Sequence, residues 1–276
     1  MTALVILAVS LVAGVIGAMT GQGGGILLVP FLTLIMHVDV KTAVAASIVS
    51  VIATSSGSAS AYVRDRISNV KIGMYLEMFT ILGALVGAAI TLKSGGRFIY
   101  LVFGLVLLAS FVALWLKPKM GETGNMRQDR LSAFLELEGE YYDQVANRVV
   151  PYKGTRAGLG GVLMFGAGLI AGMLGIGAGA LKVLIHDLVM ELPPKVSTTT
   201  SNFIIGVTAL AGASAYLAAG LIKPNIAVPV ILGVTVGSRA GTRFLVRLSN
   251  SATRKFFMVV LSVLGVEMVL RGVGLL

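Results

Sequence analysis

Glycine breaks twice into an apolar stretch of membrane length. The first break is Gly21-Gln22-Gly23-Gly24-Gly25, followed at once by Ile26-Leu27-Leu28-Val29-Pro30, and the second is Gly175-Ile176-Gly177-Ala178-Gly179, 154 residues later. That shift aligns Ala13 to Gly87 with Ala167 to Gly241 without a gap, placing Gly14 on Gly168, Lys41 on Lys195, Ser47 on Ser201, Gly83 on Gly237 and Gly87 on Gly241. The tetrapeptide Ala59-Ser60-Ala61-Tyr62 recurs as Ala213-Ser214-Ala215-Tyr216. Biased composition produces chance Ala and Leu matches, but not glycines in phase together with an identical tetrapeptide. The chain is a tandem duplication, and its fold has to be built twice.

The repeated unit is made for lipid. With 56% hydrophobic and 12% charged residues, the chain has too few charges to cover a soluble domain. Stretches near the roughly 20 apolar residues needed to span a bilayer as helix run from Ala3 to Met19, Ala43 to Val63, Ile72 to Leu92 and Phe98 to Leu116. The second half repeats them as Ala157 to Met173, Val196 to Leu217, Ile226 to Val246 and Phe256 to Leu270. Two shorter pieces, Ile26 to Met36 and Ala180 to Met190, directly follow the glycine breaks. Unbroken apolar runs favour helices over the alternating strands of a membrane barrel. The stretch beginning at Met1 lacks a basic leader and a small-residue cleavage signature, so it reads as a retained first span.

Loop charges set the relation between the halves. If each short piece completes a crossing, each half has an odd five elements and the halves are inverted. With the N-terminus outside, fifteen basic residues then fall on the cytoplasmic side and five outside. If the short pieces are re-entrant, the halves are parallel and the best split is only 12 to 8. The expected fold is therefore an all-α polytopic membrane protein of two inverted repeats of about five helical elements each, with short or broken helices after the glycine motifs. Its expected divisions are a first repeat over 1–117, a cytoplasmic connecting loop over 118–155 and a second repeat over 156–276. Within the loop, Leu131 to Leu137 suits a short interfacial helix, while Leu135 to Tyr142 also reads as a strand entering a hairpin.

A glycine run inside a membrane frees backbone groups that lipid cannot satisfy, so it must be buried in protein or line an aqueous cavity. It also opens N–H groups at the start of the next half-helix, at the positive end of the helix dipole. Two such starts from inverted halves would meet near the midplane, the way discontinuous helices build an anion site. Packing by small residues is the competing reading and accounts for glycines such as Gly83 and Gly87. The substrate-binding candidates are Gly21, Gln22, Gly23, Gly24, Gly25 and Ser47 in the first half, with Gly175, Gly177, Ala178, Gly179, Lys182, Ser201, Asn202 and Arg239 in the second. Lys182 and Arg239 stand where the first half has Leu28 and Leu85, and a cation in the apolar zone is costly unless it faces a cavity or partner. Snorkelling toward Arg243 and Arg247 is the alternative for Arg239. Glu77, the carboxylate well within a span of the first half, is the candidate for coupling proton movement to transport, with simple solvation near the cytoplasmic end as the alternative. His186 shares a helix face with Lys182 and, with Asp187, suits a local hydrogen-bonded group.

Absent cysteines remove thiolate metal sites and disulfides. No phosphate loop, H-E-x-x-H motif or plausible Ser/His/Asp set is present, so no enzyme activity, metal or cofactor is expected. The net charge of +10 belongs to membrane topology, with the bilayer and not nucleic acid as the partner.

Gly21 to Gly25 with Val29-Pro30, the echo at Gly175 to Gly179, the duplicated halves and Glu138-Gly139-Glu140-Tyr141-Tyr142-Asp143 resemble the sulfite exporter TauE/SafE family, also called the toluene-sulfonate uptake permease family. The resemblance spans nearly the whole chain. It implies a secondary transporter of the prokaryotic plasma membrane for small sulfur-containing anions such as sulfite, sulfonates or sulfoacetate, moved in either direction by alternating access. A channel or carrier for another small solute and a non-transporting membrane scaffold remain as alternatives.

Overall fold

The ends of the helices are where the sequence signals their limits. In the computed structural model, which describes residues 2–20, 24–64, 68–116, 128–143, 148–245 and 250–275, five helical elements lie on each side of a short polar connection. The first half comprises α1 (Thr2–Thr20), α2 (Gly25–Pro30, continued by a π-helical turn over Phe31–Ile35), α3 (Val40–Arg64), α4 (Val70–Lys93) and α5 (Gly96–Leu116). The connection holds α6 (Arg130–Phe134), β1 (Glu138–Asp143) and β2 (Arg148–Lys153). The second half comprises α7 (Ala157–Leu174), α8 (Gly179–Leu184, continued by a π-helical turn over Ile185–Val189), α9 (Pro194–Ala218), α10 (Pro224–Leu245) and α11 (Asn250–Val273). Asn69 caps α4 by accepting from the Ile72 N–H at 3.0 Å. Proline opens α9 and α10, where a missing N–H costs nothing. Gly175 closes α7 in the left-handed region at φ 65°, its N–H donating to the Ala171 carbonyl.

The surface is apolar where that of a soluble protein would be polar. On α4, Met74, Met78, Leu82, Leu85 and Val86 are exposed, as are Val228, Leu232 and Val236 on α10. Ser47, Glu77, Thr80, Lys182, Asp187 and Thr208 are buried. Apolar side chains on the lipid face, with the polar ones withdrawn into an otherwise apolar interior, is the arrangement a bilayer demands. Among the described residues, α4, α7 and α9 are long and apolar enough to cross a membrane by length and composition. The protein is a multi-pass helical membrane protein, with the β1–β2 hairpin its only sheet among the described residues.

Packing directions establish inversion independently of charge. Gly83 sits against Phe165 and Leu169, Gly87 against Leu169 and Met173, and Gly168 and Gly172 against Thr80 and Ala84, so α4 and α7 run parallel. Gly237 against Leu11 and Gly241 against Val15 make α1 and α10 parallel in the same way. The repeat-equivalent pair α3 and α9 runs antiparallel, with Ser55 beside Gly206 and Ile48 beside Gly212. So does the pair α5 and α11, with Leu101 beside Gly272 and Leu108 beside Gly265. A parallel duplication would give equivalent helices the same direction. Antiparallel equivalents require inverted halves.

Inversion also repeats local detail. Both short helices pass into a π turn, and two residues past each π turn stands a non-glycine residue at positive φ, His37 at 51° and Glu191 at 57°. The next N–H groups reach back alike, Val38 to the Leu32 carbonyl at 2.9 Å and Leu192 to the His186 carbonyl at 3.0 Å. Pro30 has Leu184 as its counterpart, so the π turn is a property of the fold and not of proline.

The connection contains both structures that the sequence leaves open. Asp129 caps α6, accepting from the Ser132 N–H and hydroxyl and from the Arg156 N–H. The hairpin docks on the start of α4, where the Asn69 amide donates to the Tyr152 hydroxyl at 2.9 Å; the Asn69 N–H donates to the Thr200 hydroxyl of α9 at 3.0 Å, and the Thr155 N–H, just past β2, donates to the Met190 carbonyl at 3.0 Å. Desolvation alone would raise the Asp129 pKa, but the donors from Ser132 and Arg156 outweigh it and hold the carboxyl below its ordinary value. A depressed carboxylate stabilises the fold fully above the unfolded value near 4, and that contribution is lost as pH falls through the folded value. Asp129→Ala is expected to cost about 1 kcal/mol in helix capping and to increase protease cleavage in 130–156 at neutral pH. The difference from wild type should shrink on acidification, and a pH-independent difference would remove Asp129 as its source.

Candidate functional site

The two glycine breaks meet. A Cβ on Gly25 would lie 2.5 Å from the Ser47 hydroxyl and 2.7 Å from the Gly175 carbonyl, so the start of α2 abuts the end of α7. Ser47 donates to that same Gly175 carbonyl at 2.7 Å. Two carbonyls freed at the end of α7 are also taken: Gly172 accepts from the Tyr216 hydroxyl at 2.8 Å and Met173 from the Thr91 hydroxyl at 2.9 Å. Side chains of α3, α4 and α9 thus meet the demand that lipid cannot.

The two breaks differ in backbone. Gly24, which caps α2, has an ordinary φ of −62°, whereas its counterpart Ala178 caps α8 at φ 50°. An alanine there stores strain that glycine would not. Gly177, at φ 70°, packs between Ile205 and Val51 and leaves no room for a side chain. Gly21, Gln22 and Gly23 lie outside the described residues.

One turn into α8, Lys182 is fully buried and points into the bundle of α4, α8 and α9. Its Nζ lies 3.7 Å from Glu77 Oε2, with side-chain exposures of 0% and 2%, and donates to the Thr208 hydroxyl. Thr208 in turn donates to Glu77 Oε1 at 2.7 Å, and Thr80 donates to Glu77 Oε2 at 2.7 Å. Glu77, expected as a coupling residue or as a solvated group near the cytoplasmic end, is therefore a buried partner of Lys182. Solvation is excluded by its burial. His186, on the next turn, is buried with Nδ1 3.2 Å from the Ser197 carbonyl, and Asp187 is buried beside it.

Of the remaining candidates, Ser201 donates to the Gly179 carbonyl at 3.4 Å and Asn202 is buried, its carbonyl accepting from Ser55 at 2.8 Å. Arg239 is on an exposed face of α10 and does not join Lys182. The serine and threonine cluster beside the breaks is largely committed. Ser50, Thr54 and Thr199 donate to carbonyls of their own helices, and Ser47 and Ser55 bridge the halves. A hydroxyl has one proton to donate, so in this conformation Ser47 and Ser55 hold the halves together, the others are spent within their own helices, and all of them donate to an anion only after rearrangement.

Thr80 and Thr208 were not among the expected site residues. A signal for them exists in the repeat: Lys182 replaces Leu28 and Glu77 replaces Ile231, two apolar-to-charged differences of opposite sign. Their pairing points to Thr80, one turn from Glu77, while Thr208 comes from α9 and only the fold brings it in. Among the described residues no group of His, Asp and Glu is arranged to hold a metal ion.

Comparison with known proteins finds membrane transporters. The chain is 24% identical to the probable membrane transporter protein YunE of Bacillus subtilis (strain 168), covering 99% of each chain. It is also 24% identical to the probable membrane transporter protein YdhB of the same organism, covering 87% of this chain and 89% of that one. No solved structure matches. The sulfite exporter TauE/SafE family matches residues 6–268, nearly the whole chain, and the chain belongs to that family of membrane transporters.

Proposed function

We propose that the protein is a secondary transporter of small sulfur-containing anions such as sulfite, sulfonates or sulfoacetate, working by alternating access in a prokaryotic plasma membrane. The observation that carries this reading is the contact of two glycine breaks from inverted halves with a buried lysine one turn beyond. The first N–H groups of α8 have no acceptor within their own helix, by helix geometry, and Lys182 adds the full positive charge that an anion needs. Inverted halves supply the mechanical part, since exchanging the conformations of the two halves moves access from one side of the membrane to the other. Ser47 and Ser55, which tie α3 to the opposite half, are the contacts such an exchange has to break.

In proteoliposomes, uptake of labelled sulfite should saturate and should be inhibited by thiosulfate, sulfoacetate and aromatic sulfonates. Lys182→Ala is expected to lower the uptake rate at least about tenfold, the loss of one charge-assisted contact. Unchanged rate and saturation in that variant would remove Lys182 from the substrate site.

A further inference from the structure

The inverted architecture contains the Lys182 environment twice. The repeat shift carries Lys182 onto Leu28, Glu77 onto Ile231, Thr80 onto Val234 and Thr208 onto Thr54. At the twin location Leu28 and Val234 are fully buried, and Thr54 turns back to the Ser50 carbonyl. One fold is thus built once with aliphatic residues and once with an ion pair. The pair is not a requirement of the packing, and replacing a buried pair by well-packed apolar residues is often neutral or stabilising.

Its electrostatics point to a use. Lys182 and Glu77 together are neutral. An anion drawn onto the Lys182 ammonium leaves two negative charges against one positive in a dry bundle, where Coulomb and desolvation costs are many times those in water. Neutrality returns if Glu77 takes up one proton. The groups around Glu77 are few. Helix α8 presents Lys182, with His186 and Asp187 on its next turn; α7 has no titratable residue; and α9 presents Thr208, its Lys195 and Tyr216 lying toward its ends. On α4 itself Tyr75 is committed to the Ala157 carbonyl, and Lys71 reaches Glu136 in the connection.

We propose that Lys182 and Glu77 act as one exchange unit that loads a single monoanion together with a single proton, making transport an electroneutral one-to-one cotransport. This deepens the anion-transporter reading and rests on it. On the entry side a Glu77 carboxylate oxygen takes a proton from water and gives up its contact with Lys182 Nζ, which takes the anion. Thr80 and Thr208, now donors to the two carboxylate oxygens, keep the carboxyl in place, the hydroxyl at the protonated oxygen accepting its new O–H while the other goes on donating. On the far side the anion leaves, the proton returns to water and the pair re-forms. The summed charge of pair, proton and anion is zero throughout.

The test uses the full chain in proteoliposomes and benzenesulfonate, the conjugate base of a strong acid and so a monoanion at every working pH. Each unit of inward proton gradient should give about tenfold accumulation, the ratio set by one proton per anion, and a potassium diffusion potential should have no effect. Glu77→Gln should abolish gradient-driven accumulation and make any remaining flux respond to potential, while Glu77→Asp, which keeps a titratable carboxyl, should retain the gradient response. Wild-type flux that follows the potential and ignores the proton gradient overturns the coupling and leaves the transporter reading standing. Gradient-driven accumulation by Glu77→Gln does the same. If the wild type moves none of benzenesulfonate, sulfite or thiosulfate, the transporter reading falls and the coupling with it.

Discussion

Gly87→Leu is expected to prevent the protein from reaching its folded state. A Cβ at Gly87 would stand 2.0 Å from the Leu169 carbonyl oxygen, and at Gly83, Gly168 and Gly172 the corresponding distances are 2.1, 2.2 and 2.1 Å. All of these neighbours are backbone atoms, which cannot rotate away. Four glycines at one seam let α4 and α7 touch main chain to main chain, the close approach by which small residues join helices in lipid. A leucine there must separate the helices, and with them Glu77 on α4 from α8 and α9. Overpacking alone typically costs 1–3 kcal/mol, and loss of the whole seam takes the effect beyond about 4 kcal/mol, the range that unfolds a domain of ordinary stability. The internal control is Gly166→Ala on the same helix α7, where nothing lies within 4 Å of the added carbon. That change should be neutral or stabilise by up to about 1 kcal/mol through helix propensity. Yield and monodispersity in detergent, with thermal denaturation of what is recovered, check both. A Gly87→Leu protein as stable as Gly166→Ala would show that α4 and α7 are not in contact.

Breaking the ion pair from one side should do more damage than removing it. Lys182→Ala leaves the Glu77 carboxylate buried with only Thr80 and Thr208 as donors, and uncompensated buried charges of this kind cost about 3–5 kcal/mol. The double variant Lys182→Leu/Glu77→Ile installs the residues of the twin location and should stay within about 1–2 kcal/mol of wild type, since apolar replacements of a buried pair are often neutral or stabilising. Both should lose transport. Thermal denaturation of the single and double variants separates the two effects, and a double variant no more stable than Lys182→Ala would mean that the pair is structural after all. It would also mean that the twin's aliphatic packing does not transfer across the pseudosymmetry.

Several features were legible in the chain because they depend on local composition and on one long-range register. Apolar length gives spans, glycine runs give breaks, and a gap-free shift gives duplication; none of these needs knowledge of what touches what. Inversion was legible through Arg and Lys in the loops, and the packing directions of α3 on α9 and α5 on α11 reach the same result by geometry. Lys182 and Glu77 were each visible as charges in apolar surroundings. Their partnership was not, because they are 105 residues apart and on helices that meet only when the two halves fold against each other.

The sequence by itself determined a duplicated helical membrane protein with paired breaks, since hydrophobic length and glycine placement act on each segment before any tertiary contact exists. Only the tertiary structure decided which polar groups are spent on holding the helices and which are left to act. Ser47, Thr91 and Tyr216 went to the carbonyls around the second break, Arg239 to an exposed face, and Lys182 to Glu77 in the interior. The reason is physical: a hydrogen-bond donor or a charge is satisfied by whatever the packed fold brings close, and for Ser47, Thr91 and Lys182 that neighbour comes from the opposite half of the chain.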